Sequence, residues 1–115
     1  MDEIEKLTKQ IIEFRDKRDW KQFHNLKDMA LSLNLEASEV LELFQWKSEE
    51  DVKEYIKSNK EEIGDELADV LYWVLLMSHD LDIDITEALK EKMEKNKKKY
   101  PVEKAKGKNS KYTDL

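Results

Sequence analysis

The sequence predicts an all-α protein with a four-helix bundle core and one additional short helix. Among the 115 residues only two are glycine and one is proline, so tight turns are few. Charged residues make up 42% of the chain, and the common Leu, Lys and Glu all favour helices. Apolar residues recur at helical spacing along most of the chain. This length fits one domain over residues 1–115, with a flexible basic tail from about residue 102.

The first two predicted helices flank a short polar junction. The first covers residues 2–18, and its apolar face carries Ile4, Leu7, Ile11 and Phe14. The junction RDWKQFHN follows, and the second helix covers about residues 26–45. The apolar content of the whole chain is only 39%, which is modest for a lone subunit. We therefore expect a homo-oligomer in which a second copy completes the burial.

Three polar side chains stand where N-caps are expected: Ser48, Asn59 and Asp84. They predict a short helix over residues 48–58, a longer one that ends near residue 79, and a last one that ends near residue 99. Pro101 stops the last helix, and the segment after it shows no periodicity.

The charge is unevenly distributed. The net charge is -6, yet residues 90–111 hold ten lysines and three glutamates. A basic end on an acidic body is a solvated tail, a nucleic-acid-binding segment or a place where lysines meet an anion. We expect no nucleic-acid partner, because no recognised nucleic-acid-binding module is present. The lack of cysteine excludes disulfides and thiolate metal sites. With neither a signal-peptide pattern nor an apolar run that could span a membrane, the sequence predicts a cytoplasmic protein.

Carboxylates interrupt two strongly apolar helices. In residues 29–44, MALSLNLEASEVLELF, ten of the sixteen residues are apolar, which is typical of a buried helix. In residues 67–77, LADVLYWVLLM, the only charged residue is Asp69. An unpaired carboxylate in a dry interior costs several kcal/mol, so such groups are paired, protonated or bound to a metal.

The spacing places these carboxylates on matching faces. At about 100° per residue, one face of each helix collects residues at the same offsets: Glu36, Glu39, Leu43 and Trp46 on one, and Glu62, Glu66, Asp69 and Trp73 on the other. If the two faces pack together, four carboxylates meet without a nearby Lys or Arg. Oxygen ligands alone suit Mg²⁺, with Mn²⁺ as a substitute. The alternative is two solvated faces, and spacing alone leaves both interpretations open.

Other catalytic patterns are missing. A di-iron carboxylate bundle needs Glu-x-x-His pairs, but His24 follows Lys21 and His79 follows Leu76 at that spacing. The sequence has no glycine-rich phosphate loop, no HExxH and no serine nucleophile elbow.

Ordered motifs carry a family resemblance. Glu36-x-x-Glu39 and, after 26 intervening residues, Glu66-x-x-Asp69 resemble the ExxE and ExxD motifs of the all-α (MazG-like) nucleoside triphosphate pyrophosphohydrolases. Five further segments are similar to the dCTP pyrophosphatase branch: RDWKQFH at 18–24, ELFQWK at 42–47, DELADVL at 65–71, NKKKYP at 96–101 and SKYTDL at 110–115. The resemblance covers about five-sixths of the chain.

The resemblance implies an enzyme that uses Mg²⁺ to hydrolyse a dNTP to the monophosphate and pyrophosphate. The implied metal ligands and catalytic residues are Glu36, Glu39, Glu66 and Asp69. It also implies a tight dimer or a tetramer formed from two dimers. Glu36 and Glu39 are the candidates for accepting the proton of the attacking water, and Glu62 is a candidate for an outer-shell role.

The resemblance further implies the residues that hold the nucleotide. Around the base it places Trp20, Trp46 and Trp73, with His24 beside Trp20 in the junction. We favour Trp46 because helical projection puts it on the carboxylate face, although three Trp residues can equally fill a small core. The implied phosphate contacts are Lys92, Asn96, Lys99 and Tyr100, while Lys111 and Tyr112 close over the site, in one arrangement from a neighbouring subunit.

The expected substrate is dCTP or a modified deoxycytidine triphosphate such as 5-methyl-dCTP, and the expected role is cleaning the nucleotide pool. Two alternatives stay open. One is a different or broader specificity for dUTP, ITP or another non-standard nucleotide. The other is a non-catalytic helical module that binds metal or a partner.

Overall fold

The computed structural model describes residues 1–115 as five α-helices and two short 3₁₀ turns, with no β-strand. In chain order the helices are α1 (Glu3–Lys17), α2 (Leu26–Glu42), α3 (Glu49–Asp80), α4 (Ile85–Lys99) and α5 (Val102–Ala105). The 3₁₀ turns are Lys21–Phe23 and Tyr112–Asp114. The prediction of an all-α protein is therefore confirmed. None of the helices combines the length and the apolar character needed to cross a membrane.

Each of the four long helices begins with a side-chain cap. Asp2, Asn25, Ser48 and Asp84 accept a hydrogen bond from the backbone N–H three residues further on. At α3 the cap is reciprocal, because the Asp51 side chain also accepts from the Ser48 backbone N–H. Such caps satisfy backbone donors that a helix start leaves without a partner. The predicted starts at Ser48 and Asp84 agree with the structure.

The two helices predicted on either side of Asn59 form one kinked helix, α3. The backbone at Asn59 is non-helical, with φ -128° and ψ 22°. Its Nδ2 donates to the Tyr55 carbonyl oxygen at 2.8 Å, so Asn59 is not the predicted N-cap. The side chain instead satisfies a carbonyl at the bend. The predicted boundary therefore marks a kink rather than a new start.

The chain divides into two compact units, Met1–Asp82 and Ile83–Leu115. In the first unit both α1 and α2 pack against α3. The second unit contains α4 and the segment after Pro101, where the sequence predicted a tail without periodicity. That segment forms the one-turn α5 and the second 3₁₀ turn.

The apolar core of the single chain is small. Only Met29, Leu75 and Leu76 are fully buried hydrophobic residues. The apolar stretch of α2 was predicted to be buried, yet Leu31, Leu35 and Leu41 are 51–62% exposed, as are several leucines elsewhere. The prediction of a buried α2 is therefore wrong for the isolated chain, because only the side of α2 that faces α3 is covered.

Candidate active site

The packing of α2 against α3 brings four carboxylates together. Glu36 and Glu39 come from α2, and Glu66 and Asp69 come from α3. One oxygen from each of the four side chains lies within 4.8 Å of the others. Residues three apart share a helix face, so two i, i+3 pairs on facing helices converge on a single point. This is the arrangement that the two motifs predicted.

No cationic side chain balances this cluster. The ion pairs of the chain involve other residues, and Glu36 Oε2 and Glu66 Oε2 are buried without a hydrogen-bond partner. Burial, together with the hydrogen bond and the charge of Glu39, raises the pKa of Glu36 to about 7. A hydrogen bond to Glu39, followed by burial and neighbouring charges, raises the pKa of Glu66.

The donor set fits a divalent cation. Four carboxylates supply only hard oxygen ligands, and two buried oxygens lack any partner from the chain. A bound Mg²⁺ or Mn²⁺ would relieve the repulsion that disfavours the ionised form of Glu36 and Glu66. The residues present therefore suit the metal that the sequence motifs imply.

A cavity of about 470 Å³ opens beside the carboxylates. Glu36 and Asp69 form one part of its wall, and the rest is largely aromatic and apolar. The remaining lining residues are Gln10, Ile11, Phe14, Trp20, His24, Tyr72 and Trp73. A pocket lined by aromatic side chains and a few polar groups is suited to a planar ring.

The aromatic residues of this wall support one another through edge-to-face contacts. The ring of Phe14 lies 5.6 Å from Trp20 and 6.3 Å from Tyr72. Trp73 lies 5.3 Å from Tyr72 and 5.4 Å from the His24 ring. These rings come from α1, α3 and the junction between α1 and α2, so the wall depends on the packing of the first unit. Three of the predicted base-binding residues, Trp20, His24 and Trp73, therefore share one cavity.

Trp46 does not line this cavity. It is 88% exposed, and α2 ends at Glu42, before the residue is reached. The helical projection that put Trp46 on the carboxylate face is wrong, because the chain has left the helix by then. A role for Trp46 in substrate binding stays a prediction.

Glu62 is also outside the carboxylate cluster. Its Oε2 accepts a hydrogen bond from the Tyr55 hydroxyl at 2.8 Å, across the kink of α3. Its charge still contributes to the raised pKa of Glu66, which lies one turn further along. The outer-shell role stays a prediction.

The predicted phosphate contacts lie in the second unit. Lys92, Asn96 and Lys99 lie within α4. The Tyr100 backbone N–H, just after the helix, donates to the Asn96 carbonyl oxygen at 2.9 Å. Lys99 Nζ lies 4.9 Å from the Tyr112 ring centre, and the Tyr100 and Tyr112 rings are 6.0 Å apart. Lys111 directly precedes the last 3₁₀ turn, at its N-cap position. The unit thus brings the end of α4 and the tail motif together.

Several lining residues had no functional signal in the sequence. Ile11 and Phe14 were predicted to lie on the apolar face of α1. Both of these side chains line the aromatic cavity. Gln10 and Tyr72 belong to no motif whose chemistry is evident from spacing. Buried Arg15 and its partner Asp80 lie 65 residues apart, so their contact could not be inferred from one sequence.

Comparison with known proteins assigns the family. A model of the MazG-like family matches residues 31–115, which include all four carboxylates. The chain belongs to the MazG-like family. The resemblance found in the sequence motifs is thereby confirmed.

Similarities between this chain and individual proteins agree with the assignment to the MazG-like family. The chain is 36% identical to mouse dCTP pyrophosphatase 1 over 114 residues, which cover 97% of this chain and 67% of the mouse protein. It is 33% identical to human dCTP pyrophosphatase 1 over 114 residues, with coverage of 97% and 67%. A crystal structure of a pyrophosphatase from Archaeoglobus fulgidus superposes with a TM-score of 0.81 at 40% identity, covering 88% of this chain and 94% of that one. These similarities confirm the prediction of a pyrophosphatase enzyme.

Proposed function

We propose that this MazG-like protein hydrolyses dCTP, or a modified dCTP such as 5-methyl-dCTP, to the monophosphate and pyrophosphate. The observation that carries the proposal is the cluster of four carboxylates, with two buried oxygens lacking partners. Two of the four, Glu36 and Asp69, line the aromatic cavity. Relatives whose name gives dCTP as the substrate support the choice of base.

Glu36, Glu39, Glu66 and Asp69 are the residues that would hold Mg²⁺. When bound there, the ion supplies charge neutralisation for the triphosphate and a position for the attacking water. The water oxygen bonds to the α-phosphorus while the bond to the bridging α–β oxygen breaks, and pyrophosphate leaves. Glu36 and Glu39 remain the candidates for taking the proton of the water.

The aromatic wall would hold the base. Trp20 and Trp73 present indole rings to the cavity, and an indole stacked on a nucleobase gains about 1–3 kcal/mol per base. The cavity also excludes water around the base, which strengthens the interactions of nearby polar groups. His24 and Gln10 are two polar side chains on this wall that can hydrogen-bond to the base.

The basic segment would bind the phosphates. Residues 90–111 carry ten lysines and three glutamates, which favours an anionic ligand. We propose Lys92, Asn96, Lys99 and Tyr100 as phosphate contacts, with Lys111 and Tyr112 closing over the nucleotide. The contacts of Lys99 and Tyr100 with Tyr112 support a joint role.

The working form would be a homo-oligomer, either a dimer or a tetramer. Exposed leucines on α2 and α3, together with a core of three fully buried apolar residues, support burial by a second copy. A single domain over residues 1–115, a cytoplasmic location and a role in cleaning the nucleotide pool remain predictions of the same proposal.

A substrate panel tests the reaction and the base together. Purified protein with Mg²⁺ is incubated with each of dCTP, 5-methyl-dCTP, dTTP, dUTP, dATP, dGTP, CTP and ITP, and the products are separated by ion exchange. We expect a monophosphate and pyrophosphate, with the cytosine deoxynucleotides fastest and no product after EDTA treatment. Faster turnover of dUTP or ITP would favour the alternative specificity. No product from any nucleotide, with folded protein, would favour the non-catalytic module.

A further inference from the structure

Arg15 is a buried cation at the end of α1. Its side chain is 1% exposed, and it is the only residue of α1 that is buried. Two parallel hydrogen bonds join it to Asp80 at the end of α3: Nη1 donates to Oδ2 at 2.8 Å and Nη2 donates to Oδ1 at 3.0 Å. Such a paired arrangement fixes the orientation of the guanidinium group as well as its charge.

The same guanidinium group contacts His24. Nη1 carries two hydrogens, and it lies 3.4 Å from His24 Nδ1 as well as 2.8 Å from Asp80. Because an arginine nitrogen can only donate, His24 Nδ1 must accept. His24 is then neutral and carries its proton on Nε2. Burial, and next the charge of Arg15, lower the pKa of His24, which agrees with a neutral ring.

His24 lines two cavities. It lines the aromatic cavity, where its ring meets Trp73 edge to face. It also lines a polar cavity of about 370 Å³, together with Lys21, His79 and Asp80. Because the residue borders two cavities, a directional contact from Arg15 helps to fix the orientation of its ring.

We propose that Arg15, anchored by Asp80, is a positioning residue that orients the His24 ring, and with it Trp73, in the wall of the nucleotide cavity. The proposal rests on the function proposed above. Since Nδ1 is engaged, Nε2 is the nitrogen left for a ligand, and it is a donor. The group it recognises is therefore a hydrogen-bond acceptor, such as a carbonyl oxygen of the base.

Histidine-ring NMR tests the contact without any turnover. The chain has two histidines, and a His24→Phe variant assigns their signals. The charged groups closest to His24 are Arg15 from α1, Lys21 from the junction, and His79 and Asp80 from α3. Glu36 from α2, and Asp69 and Tyr72 from α3, line the aromatic cavity with it. We expect Arg15→Met to raise the pKa of His24, because the positive charge that lowers this pKa is removed. Asp80→Asn should lower the pKa of His24 further, because the negative charge that raises it is removed.

Because nearby charges shift the pKa of His24 whatever their role, the tautomer and orientation of the ring separate the proposal from a purely structural pair between α1 and α3. If Arg15 only tied the two helices together, Arg15→Met would leave the His24 proton on Nε2 and the ring contact with Trp73 unchanged while the fold persists, and the proposal would be wrong. Asp80→Asn keeps the side-chain shape and leaves Arg15 in place, so it provides a folded test protein if Arg15→Met does not fold.

Kinetics then test the consequence for the nucleotide. We expect Arg15→Met to raise KM about tenfold, as one lost hydrogen bond can do, with kcat nearly unchanged. In a His24→Phe background the same substitution should add no further rise, because the residue it positions is absent. Additive effects on KM, or an unchanged KM in Arg15→Met, would overturn the proposal. If the wild-type protein turns over no nucleotide, the proposed function fails, and the NMR result alone decides the Arg15 contact.

Discussion

At the scale of single residues, the carboxylate cluster stabilises the chain poorly by itself. Four carboxylates within 4.8 Å repel one another, and the pKa of Glu36 rises to about 7 as a result of burial and of the hydrogen bond and charges of its neighbours. Functional sites commonly hold such groups in place at a cost in stability. A bound cation would offset this cost.

Replacing Glu36 should therefore stabilise the metal-free protein. The folded-state pKa of Glu36 lies above its ordinary value of 4.5, so its ionisation opposes folding as the pH rises from about 4.5 through about 7. In EDTA, we expect Glu36→Gln to raise Tm at pH 8 and to leave it nearly unchanged at pH 4.5. With Mg²⁺ at pH 8 the wild type should have the higher Tm, because the variant lacks one of the proposed metal ligands.

Thermal melts with and without Mg²⁺ at the two pH values check this expectation. Glu61→Gln, on the exposed side of α3, is the matched control and should shift Tm little under any condition. A lower Tm for Glu36→Gln in EDTA at pH 8 would show that the ionised carboxylate stabilises the metal-free fold, contrary to this account.

The sequence revealed these four residues because charge in an apolar helix is unusual and its spacing is regular. The predicted position of Trp46 on the carboxylate face was wrong, since helical projection beyond Glu42 assumes a helix that has ended. Arg15 and Asp80 were not predicted either. A long-range contact between two ordinary surface residue types leaves no periodic signal.

At the scale of elements, α3 organises the site. It carries Glu66, Asp69 and Trp73, and it ends at Asp80. Its start is fixed by the reciprocal cap between Ser48 and Asp51, where each side chain accepts from the other residue's backbone N–H. The cap satisfies donors that the first turn would otherwise leave without protein partners.

Removing this cap should measurably weaken the fold. We expect Ser48→Ala to lower the free energy of unfolding by about 1 kcal/mol, the usual loss for an N-cap hydroxyl. Urea unfolding followed by circular dichroism measures the change. Ser38→Ala, which removes a hydroxyl from the interior of α2, is the control and should have a smaller effect. Equal losses in the two variants would contradict the importance of the cap.

Helix starts were easier to predict than helix ends or bends. The caps at Ser48 and Asp84 are local, so a few residues determine them. The end of α2 and the kink at Asn59 depend on how the chain continues beyond each position. The side chain of Asn59 is of the type that caps helices, but its amide group donates to the Tyr55 carbonyl oxygen instead.

At the scale of the whole molecule, few apolar residues are fully buried within the single chain. Three hydrophobic residues are fully buried, whereas Leu35 alone is 62% exposed. The modest apolar content of 39% can be read directly from the sequence. It could not show which faces stay uncovered, because that depends on how the helices pack.

A charge at Leu35 should therefore block self-association. We expect Leu35→Glu to shift the protein toward monomer in sedimentation velocity, since burying an unpaired carboxylate at an interface is costly. Lys27→Glu, at an exposed polar position on α2, controls for the added negative charge and should leave the assembly unchanged. A wild-type protein that is already monomeric would contradict the proposed oligomer.

The most direct test of the central claim is the Mg²⁺-dependent hydrolysis rate of Glu39→Gln and Asp69→Asn, with Glu61→Gln as the control. Each test variant removes one charge from the cluster at nearly constant shape. The account predicts a rate loss of more than about 100-fold in both, since outer-shell partners of metal ligands alone can cost that much. Tm and circular dichroism should show intact folds, and Glu61→Gln should keep its rate. Wild-type rates in both test variants would show that the carboxylate cluster is not the catalytic metal site.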